Sequence, residues 1–246
     1  MSPTTTAIMG MIFLFLLMAL RMPVSFAMIL AGFMGNAYMI STDAAIYMLA
    51  TNVWGQLSSY GLSVIPLFVF MGQLAYHSGI TERLYNAAYK WVGRLPGGLA
   101  STTILSSAGF AAICGSNSAT SATMGTIALP EMERYGYDPA LSTGSVAIGG
   151  TLGVVIPPSV VLIIIAVQTE QSIAQLFMAC IVPGFFLTAL FLATVFLLCI
   201  RNPGLGPKGP MADMKEKLIS LTGVAEAMIL FLLVIGGLYA LSLIHI

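Results

Sequence analysis

The residues best equipped for chemistry in this chain lie in one run, Gly115-Ser-Asn-Ser-Ala-Thr-Ser-Ala-Thr-Met-Gly125. It gathers hydroxyls, one amide and two glycines where no charged residue occurs between Arg94 and Glu131. In apolar surroundings an unpaired polar group costs about 2–7 kcal/mol. Irregular backbone survives at membrane depth only when buried in protein or lining a cavity. A buried site for a small ion or solute meets both conditions. A second run, Gly149-Gly150-Thr-Leu-Gly153 followed by Pro157-Pro158-Ser159, supplies another break.

The elements that must position these runs are helices. Hydrophobic residues make up 58% of the chain and charged residues 7%, against about 25% charged in a soluble domain. Mean hydropathy is +0.97. The expected class is therefore an all-α polytopic membrane protein. Nine basic and nine acidic residues cancel, which removes the electrostatic case for a nucleic-acid partner. Cys114, Cys180 and Cys199 lack metal-ligand spacing and read as small core hydrophobes.

A span needs about 20 mostly apolar residues. Thr6–Arg21 and Pro23–Ile40 are predicted spans, and the first reads as retained rather than as a signal peptide. Ala44–Leu57 reads as a short or interfacial helix and Leu62–His77 as a third span. Thr81–Leu95 mixes Glu82, Arg83, Lys90 and Arg94 with apolar positions, as an amphipathic helix on the membrane surface would. A solvated loop helix is the alternative. Leu95–Pro130 contains eleven Ser and Thr residues. As a single helix it would be about 54 Å long, so it must fold back. The spacing predicts a helical hairpin, Gly98–Cys114 and Asn117–Glu133, with its tip inside the membrane, although two complete short spans remain an alternative.

Asp138–Gln168 is predicted to be a broken helix: one half before Gly149, an unwound link, and a second half from near Pro157. Leu176–Ile200 and Leu218–Tyr239 are further spans, joined by the Gly- and Pro-rich linker Arg201–Asp213. Arg21, Arg83–Arg94 and Arg201–Lys217 then share one side, which the positive-inside rule makes cytoplasmic with the N-terminus outside.

A helix break leaves free amides on one side and free carbonyls on the other. The amide end favours anions, and the carbonyl end with Ser and Thr hydroxyls suits a hard cation such as sodium. Ser116, Asn117, Ser118, Thr120 and Thr123 can supply side-chain oxygens, and the backbone around Gly149–Gly153 can supply carbonyls. Small residues also let membrane helices pack closely, and that reading is preferred for isolated serines such as Ser101 and Ser106. Glu226 is the one acid in the last apolar stretch. A proton relay is one reading; proximity to the helix end or pairing near Lys217 is the preferred one.

These runs resemble the large membrane subunit of tripartite ATP-independent periplasmic (TRAP) transporters, the DctM-like family. The matching pieces are Ile65-Pro-Leu-Phe, Gly93-Arg-Leu-Pro-Gly-Gly-Leu99, Gly115-Ser-Asn-Ser-Ala-Thr, Ile127-Ala-Leu-Pro-Glu-Met132 and Gly136-Tyr-Asp138. They continue through Gly150-Thr-Leu-Gly-Val-Val-Ile-Pro-Pro-Ser159 and Ile181-Val-Pro-Gly184. The resemblance implies an elevator-type, sodium-driven transporter with two inverted repeats, each holding a re-entrant hairpin and a broken helix. It implies a small four-helix membrane subunit, a periplasmic substrate-binding protein and an organic-acid anion as cargo, in a bacterial inner membrane. Sodium is a coupling ion, and no other cofactor is expected.

Carried onto this chain, the resemblance implies Ser116, Asn117, Ser118, Gly149, Gly150, Gly153 and Pro157 at a sodium site, and Thr120, Thr123, Thr151, Pro158 and Ser159 at a substrate site. The organisation it implies is scaffold in 1–97, first transport repeat in 98–200, linker in 201–216 and the start of a second repeat in 217–246. The family's large subunit is longer, and Leu241-Ser-Leu-Ile-His-Ile246 departs from its pattern. The chain is thus expected to be truncated or chimeric at its end and unable to transport alone. Other readings are a related anion–sodium symporter without a binding protein and a non-transporting scaffold or channel subunit. An intramembrane hydrolase would need a base beside Ser116 or Ser118, and neither His77 nor His245 suits.

Overall fold

The computed structural model describes residues 3–209 and 212–244, so His245 lies outside the described residues. It holds eleven helices: α1 Pro3–Ala19, α2 Val24–Met39, α3 Thr42–Leu57, α4 Tyr60–His77, α5 Ile80–Val92, α6 Gly98–Cys114, α7 Asn117–Arg134, α8 Pro139–Val155, α9 Val160–Gln168, α10 Ile173–Arg201 and α11 Met214–Ile244. The protein is an all-α, multi-pass membrane protein. Among the described residues, 139–168, 173–201 and 214–237 are long and apolar enough to cross a bilayer.

The chain forms two compact units, residues 1–63 and 64–246. In the first, α1 packs on α2 and α2 on α3. α3 starts at Ser41, whose Oγ accepts the Ala44 amide at 3.1 Å, a cap that satisfies one orphan donor.

In the second unit α8 packs against both arms of the α6–α7 hairpin. Serine and aspartate caps begin its helices: Ser116 for α7, Asp138 for α8, Ser159 for α9 and Ser172 for α10. Asp138 accepts from the amides of Ala140 and Leu141 at 2.9 and 3.1 Å, with Pro139 in the first turn. The core is built from Phe110, Ile113, Met124, Met132 and Leu152, and a smaller cluster joins Phe68, Ile163 and Phe177.

The amphipathic pattern of 81–95 does form a helix, α5. Its stripe of Thr81, Leu84, Tyr85 and Ala88 is buried against α6 and α11. Protein covers the face that the sequence reading offers to the membrane surface. Glu226 on α11 reaches back to α5: its Oε2 accepts from Arg83 Nε at 2.9 Å and lies 2.7 Å from Nη2. Lys217, the partner suggested by sequence proximity, sits instead 5.9 Å from the Trp91 ring centroid. Gly223 permits this approach, since a Cβ there would lie 2.9 Å from Arg83 Cβ.

The segment after α10 is docked on the hairpin base. Gly97 donates its amide to Gly206 O at 3.0 Å, Asp138 to Leu205 O at 2.9 Å and Gly209 to Gly93 O at 2.9 Å. Tyr137 Oη donates to Pro207 O at 2.7 Å and accepts from Leu99 N at 3.0 Å. Burial pushes the Tyr137 phenol up to about 12, although the Leu99 amide opposes the shift. A raised folded-state value keeps the proton on the folded protein longer than on the unfolded chain. The stabilisation is therefore complete below pH ~10 and is lost as pH rises toward about 12. Tyr137→Phe is expected to cost about 1–3 kcal/mol and to flatten the loss of thermal stability over that pH range. A melting series across it checks both effects.

Candidate ion and solute site

Gly115 makes the hairpin tip possible. Its φ is +64°, in the left-handed region that side chains rarely adopt. A Cβ there would also lie 2.5 Å from Pro158 O. The tip therefore crosses the break between α8 and α9 at backbone contact. The Val160 amide donates to Gly115 O at 3.0 Å, which joins the start of α9 to the end of α6.

The break itself differs from the sequence reading. Gly149, Gly150 and Gly153 are not unwound; they lie inside α8, and the non-helical link is Ile156–Ser159. The glycines serve close approach. A Cβ at Gly149 would sit 2.5 Å from Ser107 Oγ. One at Gly150 would overlap Ser121 Oγ, and one at Gly153 would lie 2.8 Å from Ser116 O and 2.9 Å from Asn117 N. The prolines cause the interruption. Pro157 and Pro158 have no N–H, so the carbonyls of Gly153 and Val154 cannot close their i+4 bonds. Both prolines and Ser159 are buried.

Four helix ends therefore meet at one place. α6 and α8 bring carbonyl ends; α7 and α9 bring amide ends. Each end carries roughly half an elementary charge, negative at carbonyls and positive at amides. No formal charge lies in 95–130 or 139–169 to override them. An oxygen-only donor set of this kind suits a hard monovalent cation, and the amide ends suit an anion beside it.

The expected side chains divide into groups. At the tip, Ser116 Oγ accepts from Ala119 N at 3.4 Å, and Thr120 Oγ1 donates to Ser116 O at 2.7 Å. Asn117 and Ser118 are exposed, with Ser118 Oγ donating to Asn117 Oδ1 at 3.2 Å. Ser159 Oγ caps α9 by accepting from Leu162 N at 3.5 Å. Gly153, Pro157, Pro158 and Ser159 thus share the neighbourhood of Ser116 and Asn117. Gly149 stands one turn earlier in α8, against α6. Thr151 is exposed and donates to Ile148 O at 2.6 Å, so its hydroxyl is engaged outside the tip. Thr123 lines a cavity together with Ser116.

That cavity is also lined by Gln73 and Tyr76 of α4 and Thr126 of α7, which the sequence reading did not single out, and by Cys114 of α6, which it read as a core residue. Gln73 was the available signal, an amide in the last turns of an apolar helix. Ser106 and Ser107 are buried, their hydroxyls without a hydrogen-bond partner among the described residues, and Ser107 meets Gly149 as a packing residue would.

Comparison with known proteins decides the family. Residues 11–243 match the family described as "Tripartite ATP-independent periplasmic transporter, DctM component". The chain belongs to the DctM family. Its relatives include the C4-dicarboxylate TRAP transporter large permease protein DctM of Pseudomonas aeruginosa, 35% identical over 80% of this chain and 45% of that protein. The sialic acid TRAP transporter large permease protein SiaM of Vibrio cholerae is 29% identical over 89% of this chain and 50% of that protein. The isethionate TRAP transporter permease protein DctMQ of Oleidesulfovibrio alaskensis is 36% identical over 74% of this chain and 29% of that protein. This DctM-family chain spans about half the length of the first two.

Proposed function

We propose that the full-length protein is the large permease subunit of a sodium-driven secondary transporter that imports an organic-acid anion. The observation that supports it most is the crossing of the hairpin tip and the α8–α9 break, where two carbonyl ends and two amide ends converge without formal charge. Sodium binds among the carbonyls of Gly153 and Val154 and the oxygens of Ser116, Asn117 and Ser118. The anion binds on the amide side, near Thr120, Thr123, Pro158 and Ser159. A bound sodium offsets the anion's charge, so each is held more tightly when the other is present. The hairpin and broken helix then carry both across the membrane together, as an elevator.

The relatives' names support the cargo class, since C4-dicarboxylates, sialic acid and isethionate are all small oxyanions. The working system contains a small four-helix membrane subunit and a periplasmic binding protein. It sits in a bacterial inner membrane with the N-terminus periplasmic. Arg94, Arg134, Arg201 and Lys208 lie in the segments that flank the backbone bonds of the hairpin base, beside Glu131, Glu133 and Asp138, and the basic residues on this side support that orientation.

The test is uptake by the full-length permease in proteoliposomes with each partner omitted in turn. Loss of uptake without the binding protein is the expected result. Undiminished uptake in its absence would favour a simple anion–sodium symporter.

A further inference from the structure

Beside the hairpin tip is a cavity of about 270 Å³ with walls from α4, α6 and α7. Its α4 wall is Val69, Gly72, Gln73 and Tyr76, and its α7 wall is Ala119, Ala122, Thr123 and Thr126. Both sets follow the i, i+3, i+4, i+7 spacing of one helix face, so two stripes face each other across the space. Small residues on both walls leave the room. Gly72 also sets the separation, because a Cβ there would lie 3.0 Å from Cys114 Sγ and 3.3 Å from Cys114 Cα.

Thr123 is only 9% exposed, and among the described residues its hydroxyl has no hydrogen-bond partner. Gln73 and Tyr76 are more exposed, and among the described residues their polar groups also have no hydrogen-bond partner. Three residues with polar side chains thus line one largely apolar space that borders Ser116, the N-cap of α7. No lysine or arginine lines it.

We propose that this chamber reads the oxyanion group of the solute, with α4 as the wall facing the hairpin and Gln73 and Tyr76 as specificity-determining donors. The inference rests on the transport reading above. Neutral donors suit a carrier. Each hydrogen bond contributes modestly, about 0.5–1.5 kcal/mol net, so the anion is selected without being trapped. A buried arginine would have to be stripped of water and would hold the anion through a full charge. The carboxylate or sulfonate lies against Gln73 Nε2, Tyr76 Oη and Thr123 Oγ1, and the apolar remainder faces Val69 and Phe110.

The experiment uses the full-length permease with its partner subunits and three probes: succinate, sialic acid and isethionate. For the carried anion, Gln73→Ala and Tyr76→Phe are each expected to raise the half-saturating solute concentration about tenfold. The half-saturating sodium concentration should stay within about twofold. Cys114 provides a readout independent of transport rate. Its modification by 2-aminoethyl methanethiosulfonate, followed by mass spectrometry, should slow at least threefold under saturating solute in the wild type. At that solute concentration Gln73→Ala should show no such protection. Unchanged solute affinity in both variants, or no protection of Cys114 by any of the three anions, overturns the proposal. Sodium-independent uptake with Cys114 still protected would support the chamber while removing the sodium coupling. Sodium-driven uptake without protection would do the reverse.

Discussion

Gly153→Ala is expected to abolish solute uptake by the full-length permease. The added methyl would lie 2.8–2.9 Å from Ser116 C, Ser116 O and Asn117 N, all backbone atoms. A side chain can turn aside, but these atoms move only if the hairpin tip moves. Overpacking of this kind costs about 1–3 kcal/mol, and here the cost falls on the crossing that brings the four helix ends together. Gly144→Ala is the matched control in the same helix. Nothing lies within 4 Å of its Cβ position, so helix propensity alone should make it neutral or stabilising by up to about 1 kcal/mol. Paired melting and uptake measurements separate the outcomes. Normal uptake by Gly153→Ala would show that tip and break need not touch.

Asn117→Ala should produce the second large effect. It stands at the tip with its backbone amide beside the Gly153 position of α8, and it is exposed. In the proposed site its oxygen binds the cation, so removing it is expected to raise the half-saturating sodium concentration tenfold or more, equivalent to about 1.4 kcal/mol. Ser118→Ala should follow in the same direction. The maximum rate at saturating sodium should change much less. A sodium requirement equal to wild type in both variants would reduce these residues to packing.

The hairpin was legible because its signals are local. An uncharged run too long for one span must fold back, and a glycine, a serine cap and an asparagine mark the turn; the helices end at Cys114 and restart at Asn117. Pro157 and Pro158 likewise announce a break through their missing amides. Gly149–Gly153 misled because glycine has two meanings. It loosens a helix that stands alone, but it also lets one helix touch another, and only distant neighbours decide between them. Ser107, Ser121 and Ser116 are 42, 29 and 37 residues away in sequence from the glycines they meet.

The same non-locality hid the cover over α5 and the pairing of Arg83 with Glu226, 143 residues apart. Gln73 was visible but ambiguous. A lone amide in a span gains meaning only when Thr123 and Tyr76 are seen around the same space.

The most direct measurement is uptake by the full-length protein, with the proposed small subunit and binding protein, into proteoliposomes under one imposed gradient at a time. A sodium gradient without a pH difference should drive accumulation of the anion, and replacing sodium by choline should stop it. Accumulation driven by a proton gradient with sodium absent would contradict the claim that these helix ends hold a sodium ion beside the cargo.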